Sequence, residues 1–476
     1  MRLFVSLLAA FAMTSSLTAK AASAAQSLDQ IRYALFKNPQ ADVEEDLRIH
    51  ASFGEHQAMR LLGDLLVEKG LAAEREAIEL FQRAFADGTG EIDALASLAR
   101  LVQRAPYHHR RYKAYFQQAL TRYPHDRDLA SLATTLEVFL AYPDLLPAAH
   151  VQHLLQLHQR SCLENCDRAL HQATLAQYSG QMAAAEDWYR LAMQTDERAP
   201  ERYYAFLGEQ QNQRFPAVAQ ELETNIASIT PAAAHRIGVV LDRISDQISV
   251  EEQLRLEEWR RQSADGLAVP PLPTGEPAST RMRYQALRWI EYASSEDWLP
   301  AMATHFHFMT SATEQYNGPQ AMMLIERIEQ LDPARARPMR IRAMMTAGWN
   351  TLNPRGAQDM IATLTQEQYL EGRMLEAEMY GRGILDEPDQ QKALSIYQQL
   401  AEQGATSALY RQARIYSSGY AICHDYTRAY AYALLALDFG ELRAHSLVNE
   451  LQARLGSKEQ EQAQLLRDRM LKELEI

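Results

Sequence analysis

The strongest constraint on this chain is an internal repeat in its last hundred residues. Sliding residues 377–408 forward by 36 positions, without a gap, pairs Ala377 with Ala413, Tyr380 with Tyr416, Gly383 with Gly419 and Asp389 with Asp425. The same shift pairs Ala393 with Ala429, Gly404 with Gly440 and Ala408 with Ala444. A fixed period of this length marks an array in which each unit buries its apolar face against its neighbours. The shared residues describe the unit. Ala377 and Ala393 lack bulk where two antiparallel helices approach, and Tyr380 and Tyr397 fill the space that remains. Gly383 and Gly404 stand where a left-handed residue would end a helix, and Asp389 and Asp425 stand where a carboxylate would cap the next one. One unit reads helix, glycine turn, helix, glycine turn.

Weaker copies lie upstream. Ala58, Gly63 and Leu66 followed by Ala77, Phe81 and Gly88 fit the template with a shorter turn, and Gly180, Ala185 and Tyr189 repeat the spacing of a turn and second helix. Segments 145–161, 216–229 and 320–331 have helical apolar spacing bounded by Pro, Gly or Asp. No run of alternating Val, Ile and Thr is available for a sheet. The expected fold is all-α, a right-handed superhelical solenoid of helix pairs, with about ten to twelve pairs in the chain. The stretch 264–280 holds Gly266, Pro270, Pro271, Pro273, Gly275 and Pro277 and cannot be helix interior. It is either a hinge between solenoid halves at 25–263 and 281–476 or a long loop on one face of a continuous array.

The first 24 residues form a separate block: Arg2, an apolar run from Leu3 to Leu17, and an alanine-rich stretch ending Ala22-Ser23-Ala24. This pattern predicts a secretory signal peptide and a mature chain in the periplasm. No later segment is apolar enough to span a bilayer. Charge excludes another class of function: 48 Lys and Arg against 61 Asp and Glu give −13, the wrong balance for a nucleic-acid-binding surface.

The C-terminal pattern, Tyr380-x-x-Gly383 with Asp389, Lys392-Ala393, Tyr397 and Gly404 recurring at Tyr416 to Gly440, resembles the Sel1-like repeat, a subclass of the tetratricopeptide solenoids. The run from Arg428 to Leu434 after the second turn, with the export signal and a polar helical tail, resembles the alginate-secretion scaffold family, AlgK. That resemblance implies a non-catalytic periplasmic scaffold for an exopolysaccharide secretion complex. Its implied partners are an outer-membrane polysaccharide porin and periplasmic polymer-modifying proteins. The lipidated N-terminal cysteine typical of that family has no counterpart, since the three cysteines are Cys162, Cys166 and Cys423. The expected form is exported, with association to the outer membrane through partners. The alternative reading of the same repeats is an adaptor for another envelope complex, serving cell-wall synthesis or signalling.

Candidate chemistry is sparse. His150, His153 and His158 share a predicted helix, yet His158 drifts off the face of the other two and no acid completes a helical zinc pattern. His108-His109 and His305-x-His307 cannot chelate from one helical face, so no metal site is expected. Cys162 and Cys166, with Cys-x-x-Cys spacing absent, could form a disulfide across a helical hairpin in an oxidising compartment. No phosphate loop, dinucleotide fingerprint or nucleophile elbow is present, and no cofactor is expected. Ser295-Glu296 superficially matches the serine and acid of α-superhelical lytic transglycosylases, without the glycine-rich segment those carry downstream. Trp349, Asn350 and Asn353 are expected in an exposed turn before Pro354. Arg335, Arg337, Arg340 and Arg342 form the one local basic stretch, either a solvated helix face or a patch for an acidic partner or an anionic polysaccharide.

Overall fold

The computed structural model describes residues 26–37, 43–69, 74–161, 168–264, 275–311, 318–346, 351–420 and 422–474. The signal segment, Cys162, Cys166, Trp349, Asn350 and most of the Pro/Gly-rich stretch lie outside the described residues. The described residues form 24 α-helices and a few 3-10 turns, with no strand among them. The chain divides into two compact units, residues 1–166 and 167–476.

The first unit contains α1 (Leu28–Lys37), α2 (Glu44–Ser52), α3 (His56–Lys69), α4 (Glu74–Phe85), α5 (Asp93–Val102), α6 (Pro106–Arg122), α7 (Leu129–Ala141) and α8 (Ala148–Ser161). Each helix packs on the next in sequence, and α5 also packs on α7. The weak repeat copy is a tight pair here. Ala58, Leu66, Ala77 and Phe81 are all buried, and a Cβ at Gly63 would lie 2.6 Å from the Phe81 ring.

The second unit contains α9 (Ala169–Tyr178), α10 (Met182–Ala192), α11 (Ala199–Phe206), α12 (Gln211–Glu223), α13 (Pro231–Ala264), α14 (Ala278–Ser295), α15 (Leu299–Ser311) and α16 (Gly318–Leu331). It continues with α17 (Pro333–Met344), α18 (Pro354–Glu367), α19 (Tyr369–Arg382), α20 (Gln390–Glu402), α21 (Ser407–Ser418), α22 (Tyr426–Asp438), α23 (Ala444–Arg454) and α24 (Ser457–Glu473). The two helices flanking 264–280, α13 and α14, are the most extensively packed pair and belong to this one unit. Gly238 allows that approach: a Cβ there would stand 2.7 Å from Ile290 Cγ1 and 3.0 Å from the Ala286 carbonyl.

One expectation is corrected. The 216–229 segment is helical as α12 over Gln211–Glu223, with Pro216 inside the helix and a 3-10 turn at Ile226–Ser228. Phe215 and Pro216 are both buried, so packing of this face outweighs the ladder hydrogen bond that proline removes. The Pro216 carbonyl is also engaged, accepting from Gln285 at 3.2 Å.

The two C-terminal units have the same local chemistry. Gly383 ends α19 at φ 63° and Gly419 ends α21 at φ 62°, both left-handed. Gly404 and Gly440 also have positive φ. Asp389 accepts from the Lys392 amide at 2.9 Å, and Asp425 accepts from the Arg428 amide at 2.9 Å. In each copy the cation three residues after the cap lies over the tyrosine of the preceding helix, Lys392 over Tyr380 and Arg428 over Tyr416. Ala377, Ala393, Ala408, Ala413, Ala429 and Ala444 are all buried at the helix crossings.

Candidate functional site on the inner face of the second unit

The first helices of successive pairs, α15, α17, α19 and α21, and the residue before α23 send polar or charged side chains into one common space. Glu378 of α19 marks it. Its carboxylate lies 3.2 Å from Arg382, 3.6 Å from Arg342 of α17 and 3.8 Å from Arg411 of α21. Arg342 also reaches Glu371 at 3.3 Å. Burial works against ionisation of Glu378, but Arg342, Arg411 and Arg382 prevail and hold its carboxyl below the usual range.

His307 of α15 faces the same space. Desolvation first, then Arg443, Arg411 and Arg342, depress its pKa to about 4, with Glu378 opposing. The imidazole is nevertheless exposed to solvent. His307 is thus solvent-accessible yet crowded by charges from four elements. Arg443, just before α23, is held by Glu441 in a two-point pair, 2.8 Å through Nε and 2.6 Å through Nη2, and lies over the Tyr410 ring. Tyr397, the repeat tyrosine of α20, feels Arg411, Glu378 and Arg342, and burial is the main cause that pushes its hydroxyl up to about 12.

A second charged group faces this one from α11, α13 and α14. Arg283 bridges Asp242 at 3.6 Å and Asp246 at 3.0 Å, and Arg243 pairs with Glu201 at 2.6 Å while lying over the Tyr204 ring. Burial first, then the neighbouring Asp246, push Asp242 up to about 7 against the opposing pull of Arg283. Arg414 of α21 acts on Asp246, and Arg243 and Glu201 act on His445 of α23. Helix α13 packs on α23 directly, and Arg454 meets Glu257 at 3.2 Å across 197 positions of sequence.

The basic stretch expected from sequence does not form one patch. Arg335 pairs with Asp332 at 3.2 Å and Arg340 with Glu329 at 2.5 Å, while Arg337 is half-buried. Arg342 alone of the four joins the inner cluster: Arg337 and Arg340 lie on other faces of the helix, and Arg335, on the same face two turns earlier, is held by Asp332. Asn353 caps α18, accepting from the Gly356 amide. Ser295 donates its hydroxyl to the Tyr292 carbonyl, and Glu296 follows at the end of α14. His150 meets His125 at 3.2 Å, and His158 is buried. Among the described residues no group of three or more His, Cys, Asp or Glu could hold a metal ion, and no helix is long and apolar enough to cross a membrane.

No family model and no curated protein matches the chain. It is similar to a protective antigen present in uropathogenic Escherichia coli strains and displaying an SLR fold, at 16% identity over 90% of this chain and 94% of that one, with a TM-score of 0.26. It is also similar to a Sel1 repeat protein from Oxalobacter formigenes, at 13% identity over 91% of this chain and 94% of that one, with a TM-score of 0.23. The chain's own architecture shows an all-α array whose last helix pairs recur at 36 residues with the same cap, glycine and tyrosine in both copies.

Proposed function

We propose that this chain is a non-catalytic periplasmic scaffold that assembles partner proteins of an exopolysaccharide secretion complex on the inner face of its second unit. The observation that carries the interaction role is that face itself: arginines and carboxylates from α17, α19, α21 and the turn before α23 converge beside the exposed His307 of α15. Arrays of helix pairs present such surfaces to peptides and proteins. The envelope assignment rests on the apolar N-terminal segment, and the polysaccharide pathway on the Arg428–Leu434 tail pattern. In this reading the scaffold supports an outer-membrane porin and connects it to polymer-modifying proteins.

Deletion of the gene tests this. The expected outcome is loss of polymer export with the polymerase still present, and co-purification of the tagged chain with an outer-membrane barrel. Normal export in the deletion strain removes the secretion role, and the partners then captured decide for an adaptor of another envelope complex.

A further inference from the structure

The cluster around Glu378 is asymmetric in depth. Four guanidiniums, Arg342, Arg382, Arg411 and Arg443, stand against three carboxylates, Glu371, Glu378 and Glu441, a local balance of one positive charge in a chain of −13. The arginine side chains are 31%, 41%, 34% and 47% exposed, whereas Glu378 is 14% and Glu441 11% exposed. These two carboxylates lie beneath the guanidiniums, so an incoming group meets arginine first. Arg443, held at two points by the buried Glu441, is ordered for recognition of another carboxylate, and Arg342 and Arg411 add positive charge beside it. His307 adds an exposed imidazole, kept neutral by desolvation and the neighbouring arginines, beside the positive charges.

We propose that Arg342, Arg411 and Arg443, with His307, form a binding site for a short acidic segment, rich in Asp or Glu, of a protein partner. This deepens the scaffold reading and rests on it. A protein segment fits better than a polyuronate chain because the cationic surface is bounded. Glu371, 39% exposed, closes one side, and Glu201, Asp242 and Asp246 face it from α11 and α13. A polymer with a carboxylate on every sugar would run onto these acids, whereas a peptide can confine its charges to the basic stretch and place neutral residues beyond it.

The test uses the purified full chain and two short labelled peptides, acetylated and amidated, one carrying four glutamates and the other glutamines at the same positions. Alginate oligomers serve as a third probe. The glutamate peptide is expected to bind with an affinity that falls steeply with salt, at least tenfold tighter than the glutamine peptide. Arg411→Gln and Arg342→Gln are each expected to weaken it about tenfold at unchanged melting temperature. Glu378→Gln, which removes a competing carboxylate, is expected to tighten it. Equal binding of both peptides overturns the proposal, as does insensitivity of glutamate-peptide binding to both arginine variants or tighter binding of the alginate oligomers. If either arginine variant unfolds, the Glu378→Gln result decides: tightening supports the site, and no change or weakening overturns it. Partner co-purification that survives Arg411→Gln together with Arg342→Gln removes this site and leaves the scaffold reading standing. Absence of any protein partner removes the scaffold reading itself.

Discussion

The second unit is built in two ways. In α19 to α23 the helices are delimited locally, by left-handed Gly383 and Gly419 and by caps at Asp389 and Asp425, and the same contacts recur 36 residues later. In α13 and α14 the pairing follows another logic. A 34-residue helix with no repeat partner lies along α14, positioned by Gly238 against Ile290 and by Arg283 between Asp242 and Asp246. The repeats take their geometry from neighbours in sequence, and the long pair takes its geometry from contacts distant in sequence. Damage to the first should be local and modest, and damage to the second should spread.

The largest effect is expected at the long pair. Gly238→Val places a branched side chain against the Ala286 backbone, which cannot yield as a flexible side chain would, and should cost ~3 kcal/mol or more in denaturant unfolding. In the repeats, Gly419→Val strains a left-handed turn and meets the movable His424 ring, so a loss of about 1–3 kcal/mol is expected. Equal costs at the two sites would erase the distinction between them, and an unchanged melting temperature for Gly419→Val would contradict its role as a helix terminator.

Next in size is a pH effect confined to the long pair. Asp242 binds its proton more tightly folded, at about 7, than at the ordinary carboxyl value of 3.8. Its contribution is therefore fully present below about pH 4 and is lost as pH rises toward 7. Asp242→Asn should raise the melting temperature at pH 8, with the gain shrinking as pH falls to 4; a gain independent of pH would remove the buried carboxyl as its cause. The buried imidazoles act in the opposite sense. His235 and His305 are depressed from 6.5 to about 4, chiefly by desolvation, so their stabilising contribution is present above pH 6.5 and lost as pH falls through 4.

The smallest effect belongs to the caps. Asp389→Ala and Asp425→Ala should each cost ~1 kcal/mol, and by nearly the same amount, because each accepts one backbone amide at 2.9 Å. Costs differing by more than about twofold would mean that the two copies are less equivalent than their hydrogen bonds.

The same division sets what was legible in the sequence. Alanines at crossings, the glycine turns and the Asp caps leave a signature because each obeys a local rule. The inner cluster left a fainter one: Arg342, Glu378 and Arg414 are spaced by 36, since 378 − 342 and 414 − 378 both equal 36, and all three face the common space or the acids across it. Identity matching misses them because their charge alternates. The basic run at 335–342 drew attention through composition, yet Arg337 and Arg340 lie on other faces of α17 and Arg335 is tied to Asp332 two turns from Arg342. Asp242, Asp246 and Arg283 gave no signal, because what joins them is the packing of α13 on α14 and not spacing in the chain. The helices on either side of the Pro/Gly-rich stretch end at Ala264 and begin at Ala278, and composition does not say that they pack together.

The contact of α13 with α23, sealed by Arg454 and Glu257, bears on how the second unit comes apart. An open row of repeats melts from its ends, one unit at a time, with each boundary carrying its own free energy. Here the row from α13 to α23 returns to its own beginning, so releasing the last helices also uncovers the first. Fraying is thereby coupled to global unfolding, and hydrogen exchange in α23 should approach the rate of the α13 core instead of that of a terminal helix. The corresponding burden falls on folding, since a contact spanning nearly two hundred positions can form only after the intervening helices have stacked.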